Sequence, residues 1–354
     1  MSNVHRGTTT RRGGPFAAAV CTAASMVAAR RRSMAGPAPA LVLAPLLAMT
    51  VACGAAPGED GAARATSDSP YAVVLGTAQD GGHPQAGTKP GAAWAPERHR
   101  HVVALAVVDP VSDERWLFEA TPDFREQLHA LDRVAPAEGV PGLDGIFLTH
   151  AHVGHYAGLI HLGHEAIGAD AVPVWAMPRM REFLRTNGPW DQLVRYGNIE
   201  PRPLEDGEPA RLNDRVTVTP FRVPHRDEYS ETVGFRIEGP ERTVVLLPDI
   251  DKWERWDEWG VRIEDVIAEA DVAYLDGTFY ADGEVPGRAM EEIPHPFIVE
   301  TMRRFEALPA AERAKVRFIH LNRTNPVALP RSDARREVER AGFRVAEALE
   351  RVGL

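Results

Sequence analysis

Cysteine is nearly absent: the 354 residues hold two, Cys21 and Cys53, and none follows Cys53. A disulfide framework and a thiolate zinc site are thereby excluded from everything after residue 53. A metal there must be held by histidine and carboxylate. Acidic residues are missing from the first 52 positions, which carry six arginines. The whole chain is −10 and that segment is +6, which leaves −16 for the remainder. Such a surface repels phosphate backbones and argues against a nucleic acid partner. A long hydrophobic run is missing too. The run APALVLAPLLAMTVA (38–52) is too short and too broken by proline to span a bilayer comfortably.

What the N-terminal segment does contain is the pattern of an export signal. Arg30, Arg31 and Arg32 precede the short apolar run, and small residues close it. Cys53, behind Thr50, Val51 and Ala52, resembles the cysteine of a bacterial lipoprotein cleavage box. Residues 1–53 are therefore expected to direct export, with Cys53 as the lipidation site. The mature protein is expected in the cell envelope as a lipoprotein, or else in the periplasm or outside the cell. An N-terminal lipid is the only membrane contact expected. Residues 54–70, rich in Gly, Ala, Ser and Asp without apolar periodicity, read as a flexible tether. Residues 71–354 read as one body, because no linker-like break follows. Nothing in the sequence fixes an oligomeric state.

Within the body, apolar periodicity alternates between strand-like and helix-like. Strands are expected over 71–75, 102–108, 115–119, 145–149, 172–176, 215–223, 232–238, 242–247, 271–275, 316–321 and 343–347. Helices are expected over 122–133, 155–167, 178–187, 251–258, 263–270, 296–307 and 331–341. The mix predicts an α/β layered body, sheets covered by outer helices.

The stretch THAHVGHY (149–156) puts His150, His152 and His155 into six residues, in a chain with 13 histidines. It follows the apolar GIFL (145–148). Residues two apart in an extended segment point the same way, so His150 and His152 converge. His155, opening the next helix, approaches from beside them. Neutral imidazole is the commonest metal ligand, and core packing does not account for three histidines at one turn. Three further candidates close other strands: His225, Asp249 and His320. Each alone has a structural explanation, although an aspartate closing the apolar TVVLL (243–247) is unfavourable unless paired or metal-bound.

Taken in order, the H-x-H-x-x-H turn, the later His225, the strand-terminal Asp249 and the final His320 resemble the metallo-β-lactamase superfamily. LGTAQDGGHPQ (75–85), SETVGFRIE (230–238), LDGTFY (275–280), IPHP (293–296) and FIHLNRTN (318–325) are similar to its coenzyme PQQ synthesis protein B branch. The resemblance runs from about residue 71 to 350. It implies an αβ/βα four-layer sandwich, two mixed sheets with outer helices and a metal site at one edge. It also implies roles: His150, His152 and His225 hold one metal, His155 and His320 a second, and Asp249 bridges them. Zn2+, one or two per chain, is the metal implied, with Fe2+ or Mn2+ as alternatives.

Gly154 departs from this pattern, since most hydrolytic members carry an aspartate ligand there. The second site is left with three ligands and less charge, so its affinity is expected to fall. Gly154→Asp is then expected to raise the metal count. Asp80 is a possible substitute ligand, although before Gly81 and Gly82 a turn aspartate is the simpler reading. The branch's cysteine cluster for a structural zinc is absent after Gln85. Asp276, Tyr280 and Asn322 are further candidates to line or support the site, Asp276 by holding a ligand histidine. His295, between two prolines, is a candidate proton donor, and Asp249 the other catalytic residue. The expected function is an exported hydrolase whose metal-bound hydroxide attacks a small-molecule ester, amide, lactone or phosphodiester. An iron-dependent oxidative enzyme like the PQQ-synthesis branch and a non-catalytic metal-binding lipoprotein are the alternatives.

Overall fold

A computed structural model describes residues 68–354. The proposed export signal, Cys53 and nearly all of the tether lie outside the described residues. The chain first forms β1 (Tyr71–Gly76), β2 (Ala104–Asp109), β3 (Glu114–Phe118), α1 (Phe124–Val134), β4 (Gly145–Phe147), the one-turn α2 (Val153–Tyr156), β5 (Val172–Ala176), α3 (Pro178–Thr186), α4 (Trp190–Arg195) and β6 (Ile199–Pro203). It continues through β7 (Ala210–Arg211), β8 (Thr217–Arg222), β9 (Val233–Glu238), β10 (Thr243–Leu247), α5 (Trp253–Asp257), α6 (Ile263–Ala268), β11 (Val272–Asp276), α7 (Ile298–Arg304), α8 (Ala310–Arg313), β12 (Val316–Ile319), α9 (Asp333–Arg340), β13 (Arg344–Val345) and β14 (Arg351–Gly353).

Two seven-stranded sheets result, in the orders β14-β1-β2-β3-β4-β5-β6 and β13-β12-β11-β10-β9-β8-β7. Both are mixed. In the first, β14, β1, β2 and β3 pair antiparallel, and β3 to β6 pair parallel. In the second, β7 to β10 pair antiparallel, and β10 to β13 pair parallel. Strand alternation explains the layers. Val244 and Leu246 of β10 face a core shared with Val74, Leu105, Phe118 and Phe147 of the other sheet. Val245 and Leu247 face outward, against Trp253, Trp256, Ile263, Ile298 and Phe305. On the far side, Val73 and Leu75 of β1 share a core with Phe124, Leu131, Met180 and Leu184. A strand buried on both faces must be apolar throughout, as the TVVLL run is. The layers are thus helix, sheet, sheet, helix, as expected. Trp253 and Trp256 are core residues here, while Trp259 is half exposed.

The expected helix over 155–167 is α2 followed by a 3-10 segment, Ala157–Leu162. The cause is close packing on the segment after β3. A Cβ on Gly158 would stand 2.1 Å from the Thr121 carbonyl oxygen. The Gly158 amide donates to the Ala120 carbonyl, and the Ala120 amide to the His155 carbonyl. This exchange fixes the backbone of His155. Among the described residues, no helix is long and apolar enough to cross a membrane.

Candidate metal centre

β1, β3 and β4 run parallel to one another in the first sheet, and β8, β10, β11 and β12 in the second. Their C-terminal ends, or the turns just after them, supply Asp80, Glu119, His150, His152, His225, Asp249, Asp276 and His320. Backbone hydrogen bonds tie the two sheets together there. The Gln79 amide donates to the Leu321 carbonyl, the Leu321 amide to the Thr77 carbonyl, and the Val233 amide to the Thr149 carbonyl.

His150 Nε2 lies 2.8 Å from His152 Nδ1, which lies 3.3 Å from His225 Nε2. Asp249 Oδ2 is 3.5 Å from His150 Nε2, and its Oδ1 is 3.8 Å from His225 Nε2. These four residues offer ligand atoms within 4.8 Å of one another. A second set meets the same criterion: Asp80, His155, Asp249 and His320. Here His155 Nε2 is 3.0 Å from Asp249 Oδ2 and 3.2 Å from Asp80 Oδ1. His320 Nε2 is 3.5 Å and 3.7 Å from the same two oxygens.

The donor chemistry fits a cation. Asp80 Oδ1, His155 Nε2, His320 Nε2 and Asp249 Oδ1 are buried without a hydrogen-bond partner. Buried polar atoms are otherwise almost always paired, so orphans converging on one place ask for a ligand. Most of the outward nitrogens, by contrast, are held. His150 Nδ1 pairs with Thr149 Oγ1 at 2.8 Å, His152 Nε2 with Glu228 at 3.1 Å, His225 Nδ1 with Asp251 at 3.2 Å, and His320 Nδ1 with Thr278 Oγ1 at 2.9 Å. Outer partners of this kind fix ring orientation and tautomer at metal sites. His155 Nδ1 faces Glu119 at 3.3 Å, a contact that has ion-pair distance but not hydrogen-bond geometry.

Glu119 escaped the reading of the sequence. It is fully buried and stands at φ 76°, in the left-handed region that non-glycine residues seldom adopt. Its amide donates to the Phe147 carbonyl. His320, at φ 61°, is in the same region. Two strained backbones at one site are typical of a functional centre. The only hint in the sequence was an acidic residue closing the apolar WLF (116–118).

Burial holds the His150 and His152 imidazoles below their ordinary range, His150 far below. Burial works against charge on Asp249 as well, but His320, His225 and His155 beside it hold its carboxyl well below the usual range. Neutral imidazoles and an ionised carboxylate are the forms that bind metal. His155 is the exception. Burial opposes its proton, but Glu119, Asp249 and Asp80 push it well above the ordinary value.

Asp276, His295 and Asp249 form a third acidic and imidazole group. Asp276 is a hydrogen-bond hub rather than a ligand. It accepts from His295 Nδ1 at 2.7 Å, from the Ile250 amide, and from the Thr278 amide and hydroxyl. It was expected to hold a ligand histidine, and it holds His295 instead. Burial works against the His295 proton, but the Asp276 charge and hydrogen bond prevail and push it up to about 9. Asn322 lines a cavity with His295. Tyr280 is a correction: its hydroxyl donates to Glu337 on α9, away from the clusters. Asp80 does lie in a turn, closed by the Gly82 amide on the Gln79 carbonyl, and its carboxylate also joins the second set. The idea that an aspartate at 154 would simply add a ligand is corrected. A Cβ there would stand 2.4 Å from Asp80 Oδ1 and 2.6 Å from Asp80 Cα.

Comparison with known proteins points the same way. The family model described as beta-lactamase superfamily domain matches residues 114–321. Coenzyme PQQ synthesis protein B of Xanthomonas campestris pv. campestris (strain B100) is 28% identical over 302 residues, 77% of this chain and 96% of that protein. Among solved structures, Zn(2+)-bound PqqB from Methylobacterium extorquens matches with a TM-score of 0.66 and 25% identity, over 80% of this chain and all of that one. A diphosphatase from the PhnP family matches with a TM-score of 0.55 at 19% identity, over 80% of this chain and 97% of that one, a likeness of fold alone.

Proposed function

This chain belongs to the beta-lactamase superfamily, and from that premise we propose that it is a metal-dependent hydrolase of a small molecule. The observation that carries the reading is the convergence of five imidazoles on Asp249, with the inner atoms of His155, His320, Asp80 and Asp249 itself left without a hydrogen-bond partner. His150, His152, His225 and Asp249 would hold one cation, and Asp80, His155, Asp249 and His320 a second. The chemistry these residues would gain from a bound cation is polarisation of a carbonyl or phosphoryl oxygen and a lowered pKa of water, enough to supply a nucleophile near neutral pH. Zn2+ suits these ligands; Fe2+ and Mn2+ are also accommodated.

The chain's own residues supply the rest. Asp249 is common to both sets and fixes their separation. Asp276 accepts from His295 Nδ1, which leaves Nε2 as the ring atom that can donate to a departing group. Asp276 in turn is locked by Thr278 and the Ile250 amide. His295→Asn is expected to lower turnover of 4-nitrophenyl esters or bis(4-nitrophenyl) phosphate by roughly 10²-fold. Its metal content should stay unchanged. Equal turnover by the variant would remove His295 from the chemistry.

The likeness to coenzyme PQQ synthesis protein B keeps a second reading, an enzyme like that branch, and because histidine and carboxylate ligands also suit Fe(II) we carry it as an iron-dependent oxidative enzyme. The two separate in one comparison: turnover with Zn(II) under anaerobic conditions, then with Fe(II) and oxygen. Hydrolysis in the first supports the main reading. Activity confined to the second replaces it.

The basic, apolar and small-residue pattern before Cys53 supports export and anchoring by lipid. Cys53→Ala should release the protein from membranes into the soluble fraction. Unchanged partitioning would reject the anchor.

A further inference from the structure

A cavity of about 460 Å³ adjoins the clusters. His295 lines it, and His295 Nδ1 is 3.4 Å from Asp249 Oδ1. Two guanidinium groups, Arg226 and Arg288, share its wall with one carboxylate, Glu292, and with the carboxamides of Gln79 and Asn322. Arg226 follows the ligand His225 directly, and its Nη2 is 3.3 Å from His152 Nε2. This ties the basic wall to the first cluster. The Arg226 pairing with Glu228 is loose, at 3.7 Å, and Glu228 is hydrogen-bonded to His152. Arg288 has no ion-pair partner among the described residues. The two carboxamides bond to each other, which fixes the opposite wall.

After residue 52 the chain carries an excess of 16 negative charges. Two arginines facing one carboxylate in a cavity reverse that sign locally. Guanidinium groups bind planar and tetrahedral oxyanions through paired N–H donors. A cavity of this size also holds more than an ion. We propose that Arg226 and Arg288 bind an oxyanion group of the substrate, a carboxylate or a phosphoryl group. The anion fixes the remainder of the molecule against His295 and Asp249. This proposal rests on the reading of the clusters as the reacting centre.

The test is calorimetric titration of the full-length protein, as isolated, with benzoate, phenyl phosphate and neutral benzamide. The variants are Arg226→Gln, Arg288→Gln, the double substitution and Arg133→Gln, an exposed arginine of α1 that serves as control. Each single substitution is expected to weaken anion binding by roughly three- to tenfold, because the groups are charge-assisted donors but partly open to water. The double substitution should abolish it, and the control should change nothing. The preferred anion identifies the oxyanion class. Two results would overturn the proposal: no binding of either anion to the unsubstituted protein, or unchanged binding by the double variant. The latter would mean that a bound metal or another surface holds the anion. Metal content measured on the same samples separates the two proposals. Arginine-dependent anion binding by protein that retains no metal would keep this one and remove the hydrolase.

Discussion

Asp249→Asn is expected to lose metal retention at both clusters, while the variant still folds. Asp249 is 2% exposed and closes β10. Its two oxygens lie between 3.0 and 3.8 Å from His150, His155, His225, His295 and His320. Asparagine keeps the shape and removes the charge. Loss of an outer partner alone costs roughly 10- to 100-fold in metal affinity, and loss of a shared ligand should exceed that. Elemental analysis of purified protein reads the effect directly. Stability gives an independent reading. In the metal-free protein the neighbouring histidines compensate the Asp249 charge and hold its carboxyl well below the usual range, so the metal-free variant should melt lower than the metal-free parent. Only the parent should gain thermal stability on addition of Zn(II), because only the parent binds it tightly in the native state. Full metal retention by the variant would remove Asp249 from the site.

Much of this centre was legible in the sequence because its ligands sit where strands end. An apolar run followed by a histidine or aspartate marks the edge at which β4, β10 and β12 present side chains together. The short spacing of His150, His152 and His155 did the rest. The expected layers followed from strands such as β10, apolar on both faces. Other features depend on contacts between distant segments. Glu119 precedes His155 by 36 positions, and only the packing of Gly158 on Thr121 and Ala120 brings them together. Tyr280 looked like a site residue because it is close in sequence to Asp276, yet its side chain turns to α9. β6 was missed because Pro201 and Pro203 argue against a strand; as the edge of its sheet it tolerates them. β7 and β14 contain two and three residues, too few for any periodicity to register, while β13 falls within the strand expected over 343–347.

Asp80, which the sequence showed as a turn residue and only as a possible substitute ligand, carries the second large expectation. The usual aspartate at 154 and the Asp80 loop exclude one another, because a Cβ at 154 would meet Asp80 Oδ1 at 2.4 Å and its Cα at 2.6 Å. The loop cannot withdraw cheaply, since Gln79 and Thr77 are hydrogen-bonded to the backbone of Leu321. The glycine therefore does not leave a gap in the second cluster; it makes room for the Asp80 carboxylate, from the turn after β1. Asp80→Ala is expected to cut retained metal to the first cluster alone, about half of the parent's content if both sites fill. Gly154→Asp should not raise the count. It should lower stability by about 1–3 kcal/mol, the usual cost of overpacking. Combining Asp80→Gly with Gly154→Asp should recover only part of the second metal. Removing the Asp80 side chain relieves one overlap, but the Cα at 2.6 Å still requires the loop to move. Metal per chain and thermal unfolding, measured on all three variants, decide the matter. A higher metal count in Gly154→Asp without loss of stability, or an unchanged count in Asp80→Ala, would show that Asp80 is not a metal ligand.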